Sequence, residues 1–214
     1  CRTVDGQHAE EEDVDEDEHH RVCGERAHAA RPVLARSPTR DDQEDRVDSS
    51  ATYSFIADLA CVEIDSETGQ VEIKKYVTVH DCGNLINPKL VEGQIYGSFV
   101  HGLGGALDEE MAYDENGQYL AASFVDYMCP TAVETPELIV GHVETPSPLT
   151  VLGSKGCGES CTMSVPVCLA NAIADALKPL GATVTRLPLR PNEVWQLIQD
   201  ARARNASTGR AIGK

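Results

Sequence analysis

The sequence predicts an α+β fold, with antiparallel hairpins packed against Gly-rich and buried helices. Three observations predict it. A strand-like run, YSFIADLACVEI, is joined by a DSETGQ turn to a second run with period-2 alternation. Leu90, Val91, Ile95, Phe99, Leu103, Ala106 and Leu107 then recur at helical spacing. Further on, PVCLANAIADAL reads as a buried helix.

Tyr53 to Ile64 is rich in aromatic and β-branched residues, which suits a strand. After the turn with Gly69, Val71, Ile73, Val77 and Val79 alternate with Glu72, Lys74, Tyr76, Thr78 and His80. That pattern predicts a half-buried strand and completes a hairpin. Asn87-Pro88 begins the next element, a helix over 89–110. It carries Gly93, Gly97, Gly102, Gly104 and Gly105, each costing about 1 kcal/mol relative to Ala. Close approach of another backbone or of a ligand is the expected compensation. Met111–Tyr113 and Tyr119–Phe124 flank DENG, an Asn-Gly turn that predicts a second hairpin. Thr145-Pro146-Ser147-Pro148 must be extended. A helix is predicted over Val165–Leu180, started by Pro166 and stopped by Gly181. Asn192–Ala203 is a last amphipathic helix, and 204–214 reads as a flexible tail.

The 214 residues suffice for one medium domain, expected over 51–203. The chain starts at Cys1, which suggests processing or a fragment. The first fifty residues carry fifteen acids and seven Arg, but no Lys, no aromatic residue and no Ile. Such a segment is expected to be a disordered acidic leader, a weak metal-binding tail through His8, His19, His20 and Cys23, or an out-of-frame read of a GC-rich gene. The formal charge of −17 argues against nucleic acid and against an anionic membrane surface. No run of about 18 apolar residues occurs, so neither a transmembrane helix nor a leader peptide is expected. The eight Cys form no C-x-x-C pair, which favours reduced thiols in a cytoplasmic protein.

The chemistry points to Gly153-Ser-Lys-Gly-Cys-Gly-Glu-Ser160. Its glycines leave room for a ligand against the main chain. Glu159 emerges just after them, and a carboxylate in a poorly solvated place can serve as a general base. Taken alone, the segment also fits a plain turn with an exposed acid.

Four motifs carry a resemblance. DCGNLINPKLVEGQIYGSFVHGLGGALDEE (81–110), FVDYMCPTA (124–132), ETPSP (144–148) and GSKGCGES (153–160) with PVCLANAIADAL (166–177) occur in that order. Their order and spacing resemble the C-terminal part of the large, molybdenum-binding subunit of xanthine oxidase-type hydroxylases. Among these, carbon monoxide dehydrogenase-type and aldehyde oxidase-type large subunits look most similar. The resemblance covers about 150 of 214 residues and implies part of a molybdopterin-binding domain. It implies a molybdenum–molybdopterin cytosine dinucleotide cofactor, with 2Fe-2S and FAD on iron–sulfur and flavin partner subunits. No side chain of this chain is implied as a metal ligand. The remainder of the large subunit is an expected partner, and the substrate is a small molecule: an aldehyde, an N-heterocycle or carbon monoxide.

By the same resemblance Glu159 takes a proton from a metal-bound hydroxyl, which attacks an electron-poor carbon while hydride passes to a sulfido group. Gln94, beside Gly93, matches a Gln that hydrogen-bonds the pterin, and an amide suits its edge. Gly156, Cys157 and Gly158 would pass close to the metal ligands. The chain departs from the pattern in having His101 for Gln, Cys157 for Val, and Ser160-Cys161-Thr162 for Ala-Gly-Thr. Two rival readings stand beside the enzyme: a non-catalytic domain that keeps the fold, and a metal-binding protein using the N-terminal tail.

Overall fold

The computed structural model describes residues 52–208 and, ahead of them, the backbone of two short antiparallel strands, β1 (Arg40–Asp41) and β2 (Arg46–Val47). The expected leader and metal-binding tail otherwise lie outside the described residues. β3 (Phe55–Ile64) pairs antiparallel with β4 (Val71–Asp81), as the hairpin pattern predicts. The turn closes because the Asp65 carboxylate accepts from Glu67 N–H at 2.8 Å and Thr68 Oγ1 at 2.9 Å.

The buried face of β4 is not the one that alternation predicts. The pairing steps from Cys61↔Lys75 to Val62↔Ile73, so Lys74 is an extra residue. One bulged residue reverses which side chains face inward. Val71 and Ile73 face the core before the bulge; after it, Tyr76, Thr78 and His80 do, each no more than 1 % exposed. Val77 and Val79 are only half-buried.

A third strand, β5 (Leu138–His142), lies parallel to β4 and makes the sheet mixed. Hairpin signals do not report it, because a parallel neighbour is joined through distant chain rather than a local turn. The second hairpin shrinks to one bridge, Tyr113↔Tyr119. There the Asp114 carboxylate takes the N–H groups of Asn116 and Gln118, both at 2.8 Å, in place of a ladder.

α1 (Pro88–Leu107) starts as expected: the Asn87 side chain accepts from Leu90 N–H, and Pro88 occupies the first turn. Ile95, Phe99, Leu103 and Ala106 form its buried stripe. α2 (Ser160–Leu177) begins five residues before the predicted start, so Pro166 lies inside it. Buried Cys161, Val165, Leu169, Ile173 and Leu177 recur every fourth residue, and this packing offsets the hydrogen bond Pro166 cannot donate. A 3-10 turn (Lys178–Leu180) and left-handed Gly181 end it. The stretch Ser160–Leu180 has the length and hydropathy of a membrane span, yet its apolar stripe is core. α3 (Pro191–Thr208) runs five residues past its predicted end and closes a second cluster with Leu189, Val194 and Ile198.

The glycines of α1 divide into two groups. A Cβ on Gly102 would lie 2.8 Å from Val165 Cβ and 2.9 Å from Cys161 O, so α2 crosses there at backbone distance. Cβ atoms on Gly93, Gly97 and Gly105 would meet nothing. Gly102→Ala is therefore expected to destabilise the chain by about 1–3 kcal/mol. Gly97→Ala should stabilise it by about 1 kcal/mol through helix propensity. Urea unfolding of the two variants reads both signs, and a shared sign would contradict this account of the crossing.

Candidate active site

The site is assembled from three of the four motifs. β4 ends at Asp81-Cys82-Gly83, and Gly83 forms an antiparallel bridge with Ser154. Lys155 N–H donates to Cys82 O at 2.7 Å, and Asn84 N–H donates to Gly153 O at 3.3 Å. Gly83 has φ 69° and its Cβ position is filled by the Gly153 carbonyl, so only glycine fits. Gly153 O also accepts from Ser147 N–H at 2.9 Å, which attaches the TPSP segment.

Asp81 ties the same three segments through its side chain. One oxygen, Oδ1, accepts from Gly83 N–H at 3.0 Å and Thr145 N–H at 3.1 Å, and pairs with Lys155 Nζ at 2.9 Å. Both side chains of the pair are at least nine-tenths buried, and Lys155 Nζ stands 5.2 Å from the Phe55 ring centre. Burial pushes the Asp81 carboxyl up, but the hydrogen bonds from Thr145, Gly83 and Lys155 outweigh it and hold the group below the usual carboxylate range.

The chain then runs through exposed Gly156, half-buried Cys157 and exposed Gly158 to Glu159. Cys157 faces the buried Cys82 thiol, which burial and this neighbour push up. Glu159 is the N-cap of α2, but its side chain makes no capping hydrogen bond. It is exposed, so the described residues do not provide the poorly solvated setting expected of a base. Gln94 projects from the open face of α1, and its Oε1 lies 3.1 Å from where a Cβ on Gly158 would stand. Gln94 and the Gly156–Glu159 loop are thus brought together, with Gly93 on the same open helix face. Residues 124–132 lie elsewhere: Tyr127 Oη donates to Glu109 Oε2 at 2.5 Å, beyond the far end of α1. Among the described residues no three His, Cys, Asp or Glu side chains converge as a metal site.

Sequence reasoning missed His80. Its Nδ1 is 3.1 Å from Ser160 Oγ and its Nε2 is 3.2 Å from Cys161 Sγ, so one imidazole holds the first two residues of α2. Ser160 Oγ donates to Cys157 O at 2.9 Å, which commits the hydroxyl proton. By that assignment the Nδ1–H donates to Ser160 and Nε2 accepts from the thiol. Burial lowers the imidazole's proton affinity; nearby Asp58 counters this and His142 adds to it. A folded value below the unfolded one, about 6.5, means the contribution to stability is complete above about pH 6.5 and is lost on acidification below it. The unfolding free energy should therefore fall more steeply below that pH in the wild-type chain than in His80→Gln. Parallel pH profiles of the two would remove His80 from the account.

Comparison with known proteins places this arrangement. The family model of the molybdopterin cofactor-binding domain matches residues 6–136, more than half of the chain, and the chain belongs to that family. It is 46% identical over 133 residues to the nicotine 6-hydroxylase large subunit of Paenarthrobacter nicotinovorans, covering 62% of this chain and 16% of that one. It is 38% identical over 146 residues to the carbon monoxide dehydrogenase large chain of Afipia carboxidovorans, covering 68% of this chain and 18% of the relative. Among solved structures, a Cu,Mo-CO dehydrogenase superposes with a TM-score of 0.69 at 36% identity, over 71% of this chain and 19% of that one. Quinoline 2-oxidoreductase from Pseudomonas putida 86 gives 0.63 at 40% identity, over 65% and 18%. The chain thus spans less than a fifth of the length of these relatives.

Proposed function

We propose that this chain is the C-terminal, cofactor-binding part of a molybdenum hydroxylase large subunit, with Glu159 as the general base. The reaction is the oxidative hydroxylation of an aldehyde, an N-heterocycle or carbon monoxide. The observation that carries the reading is the meeting of the Gln94 amide with Gly158, one residue before Glu159.

The residues fit a pterin-bound metal. The open faces at Gly93 and Gly156 leave space for a ligand at backbone distance, and the Gln94 amide offers a donor and an acceptor beside it. When bound, a molybdenum–pterin group, which we take to be the cytosine dinucleotide form, supplies the oxygen nucleophile and the two-electron acceptor. Gln94 and the Gly156–Gly158 main chain would hold that group. A Glu159 carboxylate oxygen accepts the proton released as the nucleophile forms. It is free to do so because it caps no helix N–H. The rest of the large subunit would supply the cover that excludes water from Glu159. Iron–sulfur and flavin subunits would carry the electrons away. The six described cysteines are free, which suits a cytoplasmic complex.

The exposure of Glu159 favours a second reading for the chain by itself, a domain that keeps the fold without turnover. Cofactor content separates the two. Expressed with its neighbouring genes, the protein is expected to carry molybdenum and pterin in equal amounts; finding neither would end the enzyme reading.

A further inference from the structure

We propose that His80 is a positioning residue that sets the direction in which Glu159 leaves the start of α2. This rests on the reading of Glu159 as the base, and it goes beyond that reading by naming what holds the residue in place.

The geometry is a clasp on both sides of Glu159. On the helix side, the His80 ring engages Ser160 Oγ at 3.1 Å and Cys161 Sγ at 3.2 Å, and Thr78 Oγ1 lies 3.8 Å from the same sulfur. On the loop side, Ser160 Oγ donates to Cys157 O at 2.9 Å, which fixes the peptide plane two residues before Glu159. Every side chain in the clasp is buried: His80 is 1 % exposed, Ser160 6 % and Cys161 0 %. Buried hydrogen bonds of this kind cannot be exchanged for water without leaving a desolvated group unpaired. Glu159 itself is exposed and makes no capping hydrogen bond, so the backbone held on both sides of it sets the direction in which it leaves. The imidazole stands on β4, outside both the loop and α2 that it holds. The clasp depends on the hydroxyl of Ser160 and the thiol of Cys161, and apolar residues at 160 and 161 would offer the imidazole neither.

Removing the clasp should loosen the first turn of α2 and leave the rest of the fold intact. The readouts are hydrogen exchange at Met163 and Ser164, whose N–H groups close that turn, and alkylation of Cys161 by iodoacetamide. His80→Phe fills the volume without a ring nitrogen, and Ser160→Ala removes the hydroxyl alone. Both are expected to speed these rates by about three- to tenfold, as loss of one or two net hydrogen bonds implies, with β3 and α3 amides unchanged. His80→Asn, whose amide stands where Nδ1 does, should retain most of the protection at Met163 and Ser164. In the loaded complex, His80→Phe should lower kcat while KM holds. Unchanged exchange and alkylation in both His80→Phe and Ser160→Ala would overturn the proposal, as would equal acceleration throughout the chain. If the clasp loosens as expected while Glu159→Gln retains full turnover, the base reading has failed and the clasp has not.

Discussion

Glu159→Gln is expected to lower kcat of the loaded complex by about 10²–10⁴-fold, with KM changed little. The substitution preserves shape and removes only the ability to accept a proton. Its structural cost should be small, because Glu159 is exposed and makes no capping hydrogen bond. A change in stability within about 0.5 kcal/mol is expected for such a surface site. Lost activity therefore cannot be blamed on lost fold. Steady-state kinetics, metal content and thermal unfolding of the same preparation make the separation. Turnover within about tenfold of wild type would remove Glu159 from the role of base.

Asp81→Ala is expected to cost about 3–5 kcal/mol of stability. Three groups lose their partner together: the buried Lys155 ammonium and the N–H groups of Gly83 and Thr145. The ammonium dominates, because an unpaired buried charge is far more costly than an unpaired amide. Adding Lys155→Met should recover a large part of the loss, since a linear apolar chain then fills the same space. Urea unfolding of the single and double variants measures this. A loss below about 1 kcal/mol would show that water reaches the pair. The pH dependence has a definite sign. The Asp81 carboxyl is held below its unfolded value of about 3.9, so its contribution is complete above that pH and is lost as the solution is acidified below it. The site would then come apart where its three segments meet, because the carboxylate links all three.

Much of this protein could be read along the chain. The β3–β4 hairpin follows from two strand-like runs and a local turn closed by Asp65, and α1 starts where Asn87 and Pro88 say it should. These features are short-range: the residues that decide them lie within a few positions of each other. The family was likewise legible in the order and spacing of the motifs, which single out Glu159, Gln94 and the glycine loop as candidates. The tertiary structure decided what those residues meet. One extra residue, Lys74, reversed the inward face of β4, which period-2 reading cannot detect from a run that looks regular on both sides. That reversal turned Tyr76, Thr78 and His80 into core and brought an imidazole under the start of α2. The Asp81–Lys155 pair joins residues 74 positions apart, and no local propensity reports a contact of that range. The exposure of Glu159 is also a tertiary fact, since solvation depends on what covers a residue in space and not on the residues beside it in sequence. The sequence by itself determined which side chains could do chemistry and in what order they come. Only packing decided that a bulge buries His80 against Ser160 and Cys161, and that an acid beside them stands open to water.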